Sequence, residues 1–216
     1  MSITKIERAK QLAQSARSPH HGVYLTGPNQ VEVLEDELLS ESLSGENYLL
    51  ASFGNCRCAS DAKAILQFDS HARVPSGVDR IALGHETLQL VLDAPTGSNV
   101  VPGDVVVVTP GHATEPIDPL TFKPSKDGVL SSLGYSYRYL GGLRQFNIVP
   151  GTAPAFVKAQ GFGNFFNPVS PKTDTSLVTL AHAEPFACNY GTNKHIFTIG
   201  KEGQFEYGVP ARAIVA

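Results

Sequence analysis

Four consecutive valines at 105–108, entered through Pro102-Gly103-Asp104 and left through Thr109-Pro110, admit few local structures. β-Branched side chains are stiff at χ1 and suit an extended backbone, and the flanking prolines and glycine close the run at both ends. The run reads as a short strand, and with no polar position alternating along it, as one covered on both faces. The same grammar recurs throughout: 20 glycines and 15 prolines divide the 216 residues into short segments rich in valine, leucine and phenylalanine. A mainly β fold with a few helices follows.

A hydrophobic content of 42% is enough for a real core in a chain of this length. Lysine and arginine number 17 against 20 aspartates and glutamates, a formal charge of −3, and no basic block is dense enough to track nucleic acid or an anionic membrane. No run reaches the roughly 18–20 apolar residues needed to cross a bilayer, and the first residues have no signal-peptide apolar region, so a cytoplasmic address is expected. The three cysteines, Cys56, Cys58 and Cys188, make no disulfide framework and read as reduced thiols.

Along the chain, "TKIERAKQLAQSA" places Ile6, Ala9, Leu12 and Ala13 at helical spacing and predicts an amphipathic helix. His20 and His21 read as part of a solvated loop. Two strands are expected around Gly27-Pro28-Asn29, a hairpin turn signal. "NYLLASFGN" is a further strand, and a helix over 60–66 follows it, capped by Ser60 or Asp61, which puts Cys58 at a strand-to-helix corner. "TLQLVLDA" alternates as a strand and turns at Pro95-Thr96-Gly97. Residues 111–134 read as a long loop, and "YSYRYLGGLRQFNIVP" as a strand interrupted at Gly141-Gly142. Beyond them two helices are expected, the second starting at Glu184-Pro185, where a proline is tolerated.

The residue types suited to chemistry are scattered. Thiolate, imidazole and carboxylate are the usual zinc ligands, a catalytic zinc takes about three of them and keeps one position open, and Cys58, His85, Glu86 and Glu184 offer that set. Each also has a plain structural reading: a small buried thiol, a loop imidazole, and carboxylates at a strand end and a helix N-terminus. Ser60 could relay a proton or simply cap its helix. A four-cysteine structural zinc site is excluded by the cysteine count. No glycine-rich loop lies between a strand and a helix, since Gly161-Phe162-Gly163 leads into "NFFNPV".

Taken in order, "CRCASDAK", "ALGHE", "VVPGDVVVV", "GGLRQFNIVP" and "AHAEPFACNYG" resemble the zinc-dependent medium-chain dehydrogenases, the superfamily of alcohol, sorbitol and threonine dehydrogenases. The resemblance covers most of residues 22–200, and within the superfamily it looks most like the polyol branch, with a similarity to the sorbose-1-phosphate reductase type. It implies a GroES-like β-barrel catalytic domain over 22–200, preceded by a helical lead-in over 1–21. Residues 201–216 would be a linker and the opening of a Rossmann cofactor domain, which "ARAIVA" starts and does not continue.

The same resemblance implies that Cys58 and His85 bind a catalytic zinc, that Glu86 is an adjacent or exchanging ligand with a catalytic part, and that Glu184 binds zinc directly or through water. Ser60 would pass the substrate proton toward solvent. The implied activity is oxidation of a secondary alcohol of a polyol or sugar to a ketone, with zinc as Lewis acid and NAD or NADP as hydride acceptor in the complete enzyme. This chain alone is expected to be inactive, and oligomers are expected to form through the cofactor domain. Two positions depart from the family: Gln89 stands where a glycine is usual, and Lys63 where a histidine is common. The alternative from a different class is a GroES-like barrel serving as a non-catalytic binding or assembly module.

Overall fold

The structure, a computed structural model, describes residues 4–16, 19–36, 45–68, 74, 77–108, 141–152, 166–169, 177–183, 185, 197–199 and 205–207. Thr4 starts the first helix, α1 (Lys5–Ser15), by a reciprocal cap: its hydroxyl accepts from the Glu7 N–H while the Glu7 carboxylate accepts from the Thr4 N–H. Ala9, Ala13 and Ala16 lie against Leu49, Leu92, Phe146 and Ile148. Small side chains let the helix approach the sheet closely, and Leu12, expected on the apolar face, is displaced to its rim and is 36% exposed.

Antiparallel strands β1 (His20–Gly27) and β2 (Gln30–Asp36) join through Pro28-Asn29, with Asn29 at φ 59°, the left-handed conformation that asparagine tolerates in turns. The strand starts earlier than the sequence suggests. His20 and His21 belong to β1 rather than to a loop, because the alternation of β1 carries His20, Gly22 and Tyr24 to one face, where His20 is buried edge-on to the Phe146 ring.

The remaining elements are β3 (Asn47–Cys56), α2 (Ala59–Gln67), β4 (Ile81–Ala82), β5 (Glu86–Asp93), β6 (Val105–Val108), β7 (Phe146–Pro150), β8 (Phe166–Pro168), α3 (Leu177–Ala181), β9 (Phe197–Ile199) and β10 (Phe205–Tyr207). The mainly β expectation holds. Strands order as β7-β3-β5-β6-β8 in one antiparallel sheet and β2-β1-β4 in another, with β9 and β10 as a separate hairpin. Among the described residues no helix is long and apolar enough to cross a membrane.

Residues 141–145 close the two sheets on each other. The Leu143 N–H donates to the Leu83 carbonyl at 3.0 Å and its carbonyl accepts from Val23, and the Gln145 N–H donates to His21 while its carbonyl accepts from Ser52. The chain then continues into β7 and pairs with β3, so one segment belongs to both sheets and the strands wrap a shared interior. That interior holds Tyr48, Leu50, Val91, Val100, Val106, Val108, Val149 and Phe166. Each large apolar side chain buried there contributes about 1.5–3 kcal/mol over leaving it in water. In β6 only Val106 and Val108 are fully buried. Val105 and Val107 are half-buried, so the valine run is covered on one face and only partly on the other.

Two features of this frame bear on the site. A second cluster, Leu25, Ala64, Phe68, Val74, Ile81 and Leu83, pins α2 to β1 and β4. Inside the barrel, Gln89 is fully buried: its amide nitrogen donates to Ser52 Oγ at 2.8 Å and to Thr87 Oγ1, and Asn147 donates to the same serine at 2.9 Å. Where a glycine would leave a gap, Gln89 fills it and joins Ser52, Thr87 and Asn147 in a polar network.

On the face of β1 that carries Tyr24, the Tyr24 hydroxyl donates to Asp36 and Arg144 Nη2 lies 2.8 Å from the same carboxylate oxygen. Gly22 leaves room for the arginine stem, since a Cβ there would sit 2.9 Å from Arg144 Cγ. Burial first, and then the bond to Asp36, push the Tyr24 phenol from 10.0 up to about 12. The neutral phenol is thus favoured in the folded chain. Its stabilisation is complete below the unfolded value and is lost as pH rises through the window from 10.0 to about 12. Urea titrations should show wild-type stability falling across that window, with the fall shallower in Tyr24→Phe; parallel pH profiles would sink this assignment. A methyl at Gly141 would lie 2.2 Å from the Leu83 carbonyl oxygen and 2.6 Å from that of Ala82. Gly141→Ala is expected to cost about 1–3 kcal/mol or more in the same titration, the range for overpacking, and an unchanged midpoint would mean the seam can relax.

Candidate metal centre

Strands β3 and β5 pair antiparallel with Cys56 directly opposite Glu86. One residue before Glu86 and two beyond Cys56, the chains leave the ladder on the same side, which brings His85 and Cys58 together. Gly84 makes the turn that presents His85: it sits at φ 93°, and a Cβ there would lie 2.7 Å from Asn55 Oδ1. On the other strand Cys58 is itself the N-cap of α2. Its sulfur accepts from the Ser60 N–H at 3.4 Å, and its own N–H donates to Asp61 Oδ2 at 3.0 Å. The cap is therefore neither Ser60 nor Asp61, as expected from sequence, because the helix begins one residue earlier and places both in its first turn, facing the histidine.

His85 Nε2 lies 3.2 Å from Cys58 Sγ and 2.7 Å from Ser60 Oγ, and Ser60 Oγ lies 2.6 Å from the sulfur. Behind the ring, His85 Nδ1 is 3.1 Å from Asp61 Oδ1. His85, Asp61 and Glu86 are each less than 5% exposed, while Cys58 and Ser60 are partly open to solvent. Glu86 adds a small upward push on the Cys58 thiol.

The electrostatics follow from burial and partners. Burial would push the Asp61 carboxyl up, but the hydrogen bond and charge of His85, the Cys58 N–H and Arg57 together hold it below the ordinary aspartate value. Burial pushes the Cys58 thiol up, and hydrogen bonds from Ser60 and the α2 backbone offset part of that rise. Cys56 is raised as well, by burial first and then by the charge of Glu86. A divalent cation at the sulfur would reverse this preference and hold the thiolate.

Ligand atoms of Cys58, Asp61 and His85 all lie within 4.8 Å of one another. Asp61 is nonetheless a poor ligand, because one of its oxygens accepts from the Cys58 N–H and the other faces His85 Nδ1. It orients the imidazole and leaves Nε2 directed at the sulfur, the arrangement in which a carboxylate supports a metal-bound histidine. Tetrahedral zinc would separate sulfur and nitrogen by roughly 3.6 Å, given Zn–S of about 2.3 Å and Zn–N of about 2.0–2.1 Å. The observed 3.2 Å needs a shift of only a few tenths of an ångström. Soft sulfur, an oriented imidazole and the buried Glu86 carboxylate fit such an ion in chemistry and spacing.

Four of the five residues singled out from sequence, Cys58, Ser60, His85 and Glu86, thus meet at one corner. Glu184 lies outside the described residues, as do the loop over 111–134 and the closing "ARAIVA". Asp61 is the residue that sequence reasoning read only as a helix cap. Its signal was present in the spacing Cys58-x-x-Asp61, since a carboxylate in the first turn of a helix can reach back past the cap to whatever the cap touches.

No protein-family model and no curated protein sequence matches the chain. Solved structures do. A zinc-binding dehydrogenase of Sinorhizobium meliloti 1021 bound to NADP aligns with TM-score 0.57 and 16% identity over 84% of this chain and 48% of its own. Galactitol-1-phosphate dehydrogenase of Escherichia coli aligns with TM-score 0.53 and 18% identity over 80% and 44%, respectively. A short chain alcohol dehydrogenase of E. coli CFT073 complexed with NADH aligns with TM-score 0.52 and 17% identity over 82% and 47%. The chain spans a little under half the length of each of these proteins. At these identities the likeness is one of fold, and the fold is the mainly β, GroES-like domain found in such dehydrogenases.

Proposed function

We propose that the chain is the zinc-binding catalytic part of an NAD(P)-dependent alcohol dehydrogenase acting on a polyol or sugar phosphate. The observation that carries this reading is the convergence of the Cys58 sulfur and His85 Nε2, 3.2 Å apart, with Asp61 braced behind the imidazole. The fold likeness to a zinc-binding dehydrogenase and to galactitol-1-phosphate dehydrogenase supports it. Residues 22–200 would form the catalytic barrel, with 1–21 packed outside it. Residues 201–216 would lead toward the part that binds the nicotinamide and through which copies associate. Reduced thiols at such a site suit the cytoplasm.

Cys58 and His85 would hold the ion, with Glu86 as the adjacent carboxylate and Glu184 as a further ligand, direct or through water. Zinc, when bound, supplies Lewis-acid polarisation of the alcohol oxygen, and the nicotinamide takes the hydride. The chain's own residues do the rest. Asp61, its Oδ1 3.1 Å from His85 Nδ1, braces the imidazole with Nε2 facing the ion, and the Ser60 hydroxyl, freed from His85 Nε2, relays the substrate's hydroxyl proton by giving up its own toward solvent. Lys63, exposed on α2, stands where the resemblance would place a histidine.

Metal analysis of the dialysed protein should find one zinc per chain, lost in Cys58→Ala and retained in Ser60→Ala. Asp61→Asn should weaken zinc binding by about 10–100-fold, the usual effect of removing a ligand's carboxylate partner. Zinc-free wild type with an intact circular dichroism spectrum would sink this reading and favour a barrel that serves binding or assembly.

A further inference from the structure

One irregularity in the ladder of β3 and β5 lies between the buried core and the metal corner. Ser52 is opposite Gln89 and Gly54 is opposite Leu88, so Phe53 is the extra residue of a β-bulge. We propose that Gln89 and Thr87 are positioning residues for the metal corner: their side chains clamp this bulge and so set the phase in which β3 delivers Cys58 to His85. The consequence for an ion rests on the metal-site reading, whereas the clamp concerns only this chain's own residues.

The bulge decides which face of β3 reaches the corner. Leu50 is opposite Val91, and both are fully buried in the shared interior, which fixes the middle of the ladder. Counted onward from Ser52 without the extra residue, Cys56 would stand opposite His85 and turn toward the interior. With it, Cys56 stands opposite Glu86. The difference is one residue, about 3.3 Å along the strand. Ligand distances in a metal site hold to within about 0.2 Å, so one step separates a site from none.

A bulge disrupts the ladder locally, and here side chains bridge the disruption. Just past the extra residue, Thr87 Oγ1 donates to the Gly54 carbonyl at 3.2 Å. Gln89 Nε2 donates to the Thr87 hydroxyl and also, at 2.8 Å, to Ser52 Oγ just before the extra residue. The contacts therefore run from Ser52 through Gln89 and Thr87 to Gly54 and span the bulge. Asn147 ties them to β7 and the seam, donating to Ser52 Oγ at 2.9 Å and to the Arg144 carbonyl at 3.4 Å. Gly142 lets the seam close on Thr87, since a Cβ there would lie 2.4 Å from Thr87 Oγ1. Gln89 and Thr87 are both buried, which strengthens these bonds by excluding water. A glycine at 89 would have no side chain with which to make the bridge.

The test compares Thr87→Val, which keeps the volume and removes the hydroxyl, and Gln89→Leu with Thr87→Ser, which keeps the hydroxyl. Val100→Ala removes fully buried apolar volume from the same interior, takes no part in the clamp, and controls for lost stability. In the metal-free protein, nuclear Overhauser contacts between the His85 ring and the Cys58 β-protons should be present in wild type, Thr87→Ser and Val100→Ala, and lost in Thr87→Val and Gln89→Leu. Zinc affinity, measured by chelator competition, should fall at least about 10-fold in the same two variants, the lower end of the loss on removing support behind a ligand. Circular dichroism checks that each variant folds, and if Gln89→Leu does not, the pair at Thr87 decides. Contacts unchanged in Thr87→Val, lost equally in Thr87→Ser or Val100→Ala, or absent from wild type would overturn the proposal. Wild type that shows the contacts and binds no zinc counts against the metal reading alone, and the Overhauser comparison still decides the clamp.

Discussion

The pairing of β3 with β5, Cys56 opposite Glu86, is the constraint on which the site depends. Side chains in a ladder alternate between faces, so a slip of one residue would send Cys58 and His85 to different sides. What prevents the slip is the buried pattern on both strands. Leu50 and Val91 face the interior core, and Leu49 and Leu92 face α1. Register is thus set by apolar burial well away from the polar corner, which lets Cys58, His85 and Glu86 be chosen for chemistry rather than for packing.

The second support is the seam at 141–145. By bonding to Leu83, Val23, His21 and Ser52, this short segment holds the turn before His85 against β1 and against β3. Gly141 and Gly142 lie so close to neighbouring groups, 2.2 Å and 2.4 Å from where a Cβ would stand, that only glycine fits without movement. The backbone around His85 is therefore rigid on both sides, and α2 is anchored independently through Ala64 and Phe68. A site assembled from two separately anchored elements can hold a 3 Å geometry without help from a bound ligand.

Buried polar side chains border the site. Gln89 fills the barrel beneath the site through Ser52, Thr87 and Asn147. Asp61 is kept ionised by His85 and by the Cys58 N–H. Gln89 and Lys63 stand in different surroundings: Gln89 is absorbed by the interior, while Lys63 is exposed on α2.

Sequence alone determined the class of fold, because glycine and proline spacing limits element length and valine-rich runs select strands. It also placed Cys58 at a strand-to-helix corner and His85 at the entry to a strand, since those depend only on local propensity. The clustering of Cys58, Ser60, His85 and Glu86 was legible only through the ordered motifs, because residues some 25 positions apart have no local reason to meet. Tertiary structure decided the rest. That Cys58 caps α2, that Asp61 braces His85, that His20 is buried on Phe146 and that Gln89 closes the barrel all depend on which strands lie side by side. Strand pairing is a long-range choice made by burying whole faces, and local spacing carries no record of it.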